Sequence, residues 1–208
     1  MKLRALICVL LCAASTAWAE NALKDVDLDS SPAALRRGAV TVTSRCLSCH
    51  SVKYLHYRDL LKLDFSREEV MSMGNLESAL LALTPAEVSE QAYGRVPPDL
   101  SLLAKAREGG PRYIYTLLTG FYQDQTGEIN NHLYPGIRMP DILGWSGADS
   151  TQRAALAIQA NEAAAFLMWA ADPRADERKS LGYYTIAYLA LLTGLLYLVK
   201  RKVWARLK

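Results

Sequence analysis

The stretch Cys46-Leu47-Ser48-Cys49-His50 has the spacing C-x-x-C-H, which is the attachment pattern of a c-type haem. Two thiols at this spacing can form thioether bonds to the two vinyl groups of the porphyrin ring. The histidine that follows directly can bind the iron as the proximal ligand. The motif therefore predicts one covalently bound haem c, attached to Cys46 and Cys49 and ligated by His50.

The N-terminus has the three parts of a secretory signal peptide. These are the positive residues Lys2 and Arg4, the apolar core at 6–14 and the small-residue cleavage site Ala17-Trp18-Ala19. The apolar core is too short to be a good membrane-spanning helix. We therefore assign residues 1–19 to a signal peptide and expect the mature chain to begin at Glu20.

Export of the chain determines how its four cysteines are interpreted. Cys8 and Cys12 lie inside the signal peptide and leave with it, so that Cys46 and Cys49 remain. Cys12 could also mark a lipoprotein signal, but the residues at 9–11 before it are large, which disfavours that alternative. Two thiols in an oxidising compartment need a chemical explanation.

A thioredoxin-type disulfide and a zinc site are the alternatives to haem attachment. The disulfide motif would be expected in a βαβ context, and the sequence shows no such pattern. A zinc site would need further ligands, but only His56 and His132 remain besides His50, and there is no second cysteine pair. Haem attachment is the interpretation that we favour.

The C-terminus predicts a membrane anchor. Residues 181–199 contain no charged side chain, and as a helix they would span roughly 28 Å, close to the hydrocarbon thickness of a bilayer. Aromatic residues mark the two ends of this span: Tyr183 and Tyr184 at one, Tyr197 and Trp204 at the other. A basic tail follows at 200–208, and the positive-inside rule makes it cytoplasmic. We predict a single transmembrane helix in contact with lipid, with residues 20–180 on the opposite side of the membrane.

The exported part of the chain is mildly acidic. Residues 20–180 carry 21 acidic and 17 basic side chains, a net charge of −4, while the basic excess of the whole chain lies at its two ends. Such a surface fits a basic protein partner better than nucleic acid, so we expect no nucleic-acid binding. The imbalance is small, and an ordinary solvated surface explains it as well.

Helical signals dominate the segment between the signal peptide and the anchor. Ser31 can cap a helix that has Pro32 at its first position and runs toward Thr43. Further helices are predicted after the capping box Thr84-Pro85-Ala86-Glu87 and at residues 100–107, 113–119 and 151–169. Pro173 interrupts the last helix before a continuation into the anchor, and residues 124–150 form a loop with function. The fold class is therefore mainly α: a c-type cytochrome domain with long loops and one C-terminal transmembrane helix.

A methionine is the expected sixth ligand of a haem that transfers electrons, because a His/Met pair raises the potential and closes the iron to small molecules. The candidates are Met71, Met73, Met139 and Met168. The first two and the last lie in predicted helices, where methionine usually fills gaps in a core. Met139 lies in the loop Tyr134-Pro135-Gly136-Ile137-Arg138-Met139-Pro140, whose two prolines restrict the backbone. Spacing alone makes Met139 the favoured candidate and leaves the choice of ligand open.

At this point the chain resembles the cytochrome c1 family, whose members are the haem subunits of cytochrome bc1 complexes. The motifs that carry the resemblance follow in order: Cys46 to His50, Pro97-Pro98-Asp99-Leu100-Ser101, Ala104-Lys105-Ala106-Arg107, Gly109-Gly110 with Tyr113, Leu117-Leu118-Thr119-Gly120, Tyr134-Pro135-Gly136 with Met139-Pro140, and Trp169-Ala170-Ala171-Asp172-Pro173 with Arg178. They cover nearly all of the mature chain, and the block from Pro97 to Gly120 is more specific than the haem motif itself.

The resemblance implies a role for each of these segments. Met139 would be the sixth ligand, Pro98 would lie at the haem, and Arg107 and Tyr113 would lie near its propionates. The chain would accept electrons from the Rieske iron–sulfur protein and reduce cytochrome c, beside cytochrome b in a dimeric complex of a bacterial inner membrane. It would then be a subunit of a quinol–cytochrome c reductase, and its haem domain would be periplasmic.

Two other functions share some of these features. A free-standing, membrane-anchored cytochrome c has the haem motif and the anchor, but it does not explain the block from Pro97 to Gly120. A haem sensor or peroxidase would have an open sixth site and would bind carbon monoxide in its native reduced form.

Overall fold

Helices carry most of the ordered backbone in the computed structural model, which describes residues 23–206. The predicted signal peptide, with Cys8 and Cys12, lies outside the described residues. The chain divides into two units, one that ends at Ala171 and one that begins at Asp172. The mainly helical fold class and the apolar C-terminal helix predicted from the sequence are both confirmed.

The first unit contains six helices, two 3₁₀ segments and four short strands among its described residues. They are α1 (Pro32–Arg45), a 3₁₀ turn (Cys46–Ser48), β1 (Val52–His56), a 3₁₀ segment (Tyr57–Leu63), α2 (Arg67–Met73), β2 (Ala79–Leu80), α3 (Ala86–Tyr93), α4 (Leu103–Ala106), α5 (Pro111–Leu118), β3 (Phe121–Gln123), β4 (Ile129–Asn131) and α6 (Ser150–Ala170). β1 pairs antiparallel with β2, with Val52 opposite Leu80. β3 pairs antiparallel with β4, with Phe121 opposite Asn131.

Helix α1 begins where the sequence predicts. The backbone N–H of Ala34 donates to the Ser31 hydroxyl at 3.3 Å, and Pro32 occupies the first turn, where its missing N–H costs no helical hydrogen bond. The helix continues two residues past the predicted end and stops at Arg45, directly before Cys46. It therefore delivers the C-x-x-C-H motif from a rigid element.

Helices α1 and α6 pack against each other with their backbones close together. A Cβ atom on Gly38 would lie only 2.0 Å from the carbonyl oxygen of Glu162, so a side chain at this position cannot be accommodated without movement. The Glu162 carboxylate is buried and accepts a hydrogen bond of 2.7 Å from Arg37. The alanines Ala160, Ala163 and Ala164 on α6 are also fully buried. The Ala-rich composition of α6 thus serves close helix packing.

Several local predictions need correction. A helix does follow Thr84, but it begins after Pro85 without a side-chain cap, so the predicted capping box is wrong. The helix predicted at 100–107 is a single turn, α4. The next helix starts at Pro111, because proline fits the first turn, and not at Tyr113. The predicted loop at 124–150 includes β4, whose three residues carry too little periodicity to announce a strand.

The second unit consists of helix α7 (Ala175–Ala205), which has 31 residues and no buried side chain. By length and composition it can cross a membrane, and it contains the predicted span 181–199. It extends beyond that span at both ends, so that Lys200, Arg201 and Lys202 continue the same helix. The helix break that Pro173 predicts is present, because α6 ends at Ala170 and α7 starts at Ala175.

Candidate cofactor site

All seven residues that the sequence predicts to hold the cofactor line one cavity of about 330 Å³. They are Cys46, Cys49, His50, Pro98, Arg107, Tyr113 and Met139. Apolar side chains from three helices form much of the remaining wall, with Leu103 from α4, Leu117 from α5 and Leu167 from α6. The fold brings together residues from distant parts of the chain. The contacts of each residue with a cofactor stay predictions.

A short turn presents the two cysteines and the histidine together. The carbonyl oxygen of Cys46 accepts hydrogen bonds from the backbone N–H of Cys49 at 3.1 Å and of His50 at 2.8 Å. Cys46 is buried, Cys49 is half-buried, and both are free thiols. We call residues 45–50 the cysteine wall of the cavity.

Two separate observations disfavour the redox disulfide and the zinc site, the alternatives to haem attachment. Burial raises the pKa of the Cys46 thiol to about 12, because the thiolate would lose its hydration. A dithiol redox site needs the opposite, a thiol whose pKa is depressed so that the reactive thiolate is populated. Within residues 23–206, no group of three or more His, Cys, Asp and Glu side chains could hold a metal ion, which disfavours zinc.

His50 is held by the segment that contains Pro98. Its Nδ1 lies 2.7 Å from the carbonyl oxygen of Pro98, and because a carbonyl can only accept, Nδ1 is the donor. Burial lowers the pKa of His50, which favours the neutral ring. In that tautomer Nε2 keeps its lone pair and can ligate iron. Two further bonds fix the segment, from Leu100 N–H to the Ser51 carbonyl at 2.7 Å and from Lys53 N–H to Asp99 at 3.1 Å.

Met139 is the candidate thioether that the fold selects. All four candidate methionines are described, and Met139 alone among them lines the cavity. Met71 and Met168 are 59% and 41% exposed, while Met73 packs against the core away from the cavity. Met139 is half-buried at the end of the irregular segment 132–140, which we call the methionine loop.

Four arginines line the cavity within the described chain: Arg45, Arg95, Arg107 and Arg138. The Arg107 guanidinium lies 5.5 Å from the centre of the Tyr113 ring, and the position of both residues near haem propionates stays a prediction. Arg45 donates to the Ile142 carbonyl at 2.9 Å, and Arg138 donates to the Tyr93 carbonyl at 3.2 Å. Guanidinium groups bind carboxylates through paired hydrogen bonds, so this set suits an anionic edge of a ligand.

Sequence reasoning missed three of these arginines. Arg45 directly precedes Cys46, and Arg138 directly precedes Met139, so adjacency to a predicted site residue could have identified both. Arg95 carries no such signal, because only the path of the chain after α3 brings it to the cavity.

The set of groups fits a c-type haem. Two thiols stand beside an oriented imidazole, a thioether lines the same cavity, the walls are mainly apolar, and guanidinium groups are available for two propionates. His50 and Met139 are the residues that could bind the iron, and Cys46 and Cys49 those that could bind the ring covalently.

Comparison with known proteins points in the same direction. The model of the Cytochrome C1 family matches residues 24–80 and 82–207. The chain is 30% identical over 225 residues to "Cytochrome c1" of Rhodospirillum rubrum, covering 84% of this chain and 82% of that protein. It is 31% identical over 212 residues to "Cytochrome c1, heme protein, mitochondrial" of Saccharomyces cerevisiae, covering 85% and 68%. It is also 29% identical to "Cytochrome b/c1" of Bradyrhizobium diazoefficiens, covering 83% of this chain and 33% of that protein.

Proposed function

Because the chain belongs to the cytochrome c1 family, we propose that it is the haem-carrying electron-transfer subunit of a cytochrome bc1 complex. In that complex it accepts an electron from the Rieske iron–sulfur protein and passes it to a cytochrome c. It is thus a subunit of a quinol–cytochrome c reductase and performs no bond chemistry of its own. The observation that carries the proposal is the convergence of the C-x-x-C-H motif and Met139 on one cavity.

The chain's own residues attach, ligate and orient the cofactor. Cys46 and Cys49 would form the two thioether bonds, His50 would supply the nitrogen ligand, and Met139 would supply the sulfur ligand. A bound haem c contributes an iron that changes between Fe(II) and Fe(III). The carbonyl of Pro98 holds the His50 ring in the ligating tautomer, which limits rearrangement when the charge of the site changes.

The cavity walls adjust the potential of the site. Leu103, Leu117 and Leu167 keep water away from the ring plane, which favours the less charged, reduced form. Arg107, which lies 5.5 Å from the centre of the Tyr113 ring, would pair with a propionate of a bound haem. The sulfur of Met139 raises the potential and leaves no position open to small molecules.

The membrane arrangement follows from the two ends of the chain. Residues 1–19 direct export, residues 20–180 form the periplasmic haem domain, residues 181–199 cross a bacterial inner membrane, and residues 200–208 are the cytoplasmic tail. The relative whose printed name joins cytochrome b to c1 supports cytochrome b as the neighbouring subunit. The anchor keeps the haem near the site of quinol oxidation, in a complex that we take to be dimeric.

The test is the reduction of this haem by a quinol in native membranes, with and without a blocker of the quinol-oxidation site of cytochrome b. We expect reduction that the blocker abolishes, because electrons reach the haem only through cytochrome b and the Rieske protein. A direct chemical reductant serves as the control and reduces the haem in both samples.

Two outcomes would contradict the proposal. Reduction by quinol that ignores the blocker would identify a free-standing, membrane-anchored cytochrome c with another donor. Binding of carbon monoxide to the native reduced protein would identify a sensor or peroxidase with an open sixth site. The position of Met139 at the cavity disfavours an open sixth site, and the family match disfavours a free-standing cytochrome c.

A further inference from the structure

Asn131 is a fully buried polar residue at the end of β4, with an exposed fraction of 0%. Its side chain lies where the hairpin ends and the methionine loop (132–140) begins. A buried amide without hydrogen-bond partners would destabilise the folded protein. The partners of the Asn131 side chain therefore indicate its structural role.

The side chain bonds two separate parts of the first unit. Its Nδ2 donates to the carbonyl oxygen of Leu117 at 2.8 Å, and its Oδ1 accepts from the backbone N–H of Leu133 at 2.9 Å and of Tyr134 at 3.3 Å. The orientation of the amide is fixed, because a carbonyl only accepts and an N–H only donates. One end of Asn131 therefore holds α5, and the other holds the methionine loop.

Two of these three partners, one from α5 and one from the methionine loop, belong to the wall of the cofactor cavity. Leu117 and Tyr134 line the cavity themselves, and Met139 follows Tyr134 by five residues. The neighbouring residue Asn130 makes a similar contact with the loop: its Oδ1 accepts from the Gly136 N–H at 2.9 Å. The first half of the loop is therefore fixed by side chains of the strand that precedes it.

Gly120 makes room for this arrangement. A Cβ atom there would lie 3.1 Å from the Oδ1 of Asn131 and 2.7 Å from the carbonyl oxygen of Thr116. The backbone of Gly120 also accepts from the His132 N–H at 2.9 Å, so the close approach joins the turn after α5 to the start of the loop.

We propose that Asn131 is a positioning residue for Met139. By holding the start of the methionine loop against α5, it keeps the thioether at the cavity and raises the fraction of molecules in which Met139 binds the iron. It acts through the loop backbone and not by contact with the cofactor. The inference rests on the proposed function, because it requires Met139 to be the sixth ligand.

The test compares Asn131→Ala with wild type in the full-length, haem-loaded chain in membranes. Loss of these buried hydrogen bonds should raise the fraction of ferrous protein that binds carbon monoxide by about tenfold. The midpoint potential should fall, as it does on loss of a methionine ligand. Both readouts report on ligation of the iron, which a loss of stability alone does not change.

Asn161→Ala is the matched control. Asn161 is a half-buried asparagine that likewise joins backbone groups distant in sequence: it accepts from one N–H, of Asp29 at 2.9 Å, where Asn131 accepts from two, and it donates to one carbonyl, of Asp27 at 2.8 Å. It does not line the cavity. We expect this variant to lose stability while its potential and its carbon monoxide response stay at wild-type values.

Asn131→Asp is the second variant, for use if the Ala variant does not accumulate. It keeps the oxygen that accepts from Leu133 and Tyr134. When ionised, its second oxygen lies against the Leu117 carbonyl, so carbon monoxide binding should be at least as high as in the Ala variant; when protonated, its O–H can replace the Nδ2 donor, and carbon monoxide binding should approach that of wild type. A wild-type response at high pH, where the carboxyl is ionised and has no donor, would overturn the link to α5.

Met139→Leu tests whether Met139 is the sixth ligand, separately from the positioning role of Asn131. If Met139→Leu binds carbon monoxide and Asn131→Ala behaves like wild type, the positioning role is refuted and the ligand assignment stands. If Met139→Leu itself behaves like wild type, the ligand assignment within the proposed function fails, and the positioning role fails with it.

Discussion

The cysteine wall (45–50) and the methionine loop (132–140) face the same cavity but are held in place by different means. The cysteine wall continues directly from α1, and its turn is closed by hydrogen bonds to the Cys46 carbonyl from residues three and four positions away. The methionine loop has no regular secondary structure. It is held by contacts distant in sequence, from Asn131 to Leu117 and from Arg138 to the Tyr93 carbonyl.

This difference separates attachment from ligation. A local turn can present its groups early, before distant segments have docked, which suits a covalent step. A loop fixed by long-range bonds takes its position only when α3, α5 and the hairpin are assembled. The presentation of the two thiols therefore depends on local sequence, whereas both ligands depend on the assembled fold, His50 through the Pro98 carbonyl and Met139 through its loop.

Changing Cys49 to Ala tests the cysteine wall and should have the largest effect. With one thiol removed, only a single thioether bond to Cys46 can form, so no doubly attached haem should remain. Mass spectrometry and the visible spectrum of the denatured haem peptide measure the number of thioether bonds. Ser48→Ala is the control, since it alters the same turn and keeps both thiols. Normal double attachment in the Cys49 variant would refute the attachment site.

Changing Met139 to Leu tests the methionine loop and should have the second largest effect. The haem should remain attached, but its midpoint potential should fall by roughly 100 mV. This is a modest fraction of the range of about 0.8 V over which axial ligands set haem potentials. Carbon monoxide should also bind the reduced protein. Redox titration and carbon monoxide spectra measure these changes. Met71→Leu, at an exposed position outside the cavity, should leave both unchanged. An unchanged potential in the Met139 variant would remove it as the ligand.

Changing Gly38 to Ala tests the packing of α1, the helix that leads into the cysteine wall, and should have the smallest effect. The new methyl group would press on the Glu162 carbonyl, so α1 and α6 must separate, at a cost of about 1–3 kcal/mol in the free energy of unfolding. Thermal or denaturant unfolding of the holoprotein measures this loss. Gly147→Ala is the matched control, because its Cβ would meet no atom within 4 Å. If the two variants had the same free energy of unfolding, the close contact of α1 with α6 at Gly38 would not stabilise the helix that leads into the cysteine wall.

The sequence predicted much of the helical framework, because its signals are local. Ser31 and Pro32 located the start of α1, and the alanine-rich run located α6 to within one residue at either end. The apolar run at 181–199 predicted a helix that the structure contains within α7. The capping box at Thr84 failed, since Pro85 takes the cap position and no side chain completes the bond.

By itself, then, the sequence determined the attachment motif, the predicted export signal and the anchor, because each is a contiguous pattern whose chemistry needs no distant partner. Its spacing alone left the choice among four methionines open, the family resemblance pointed to Met139, and neither gave a role to Asn131 or Arg138. Only the tertiary structure placed Met139 at the cavity and joined its loop to α5 and α3. The physical reason is that hydrogen bonds between segments far apart in the chain leave no periodic trace in either segment.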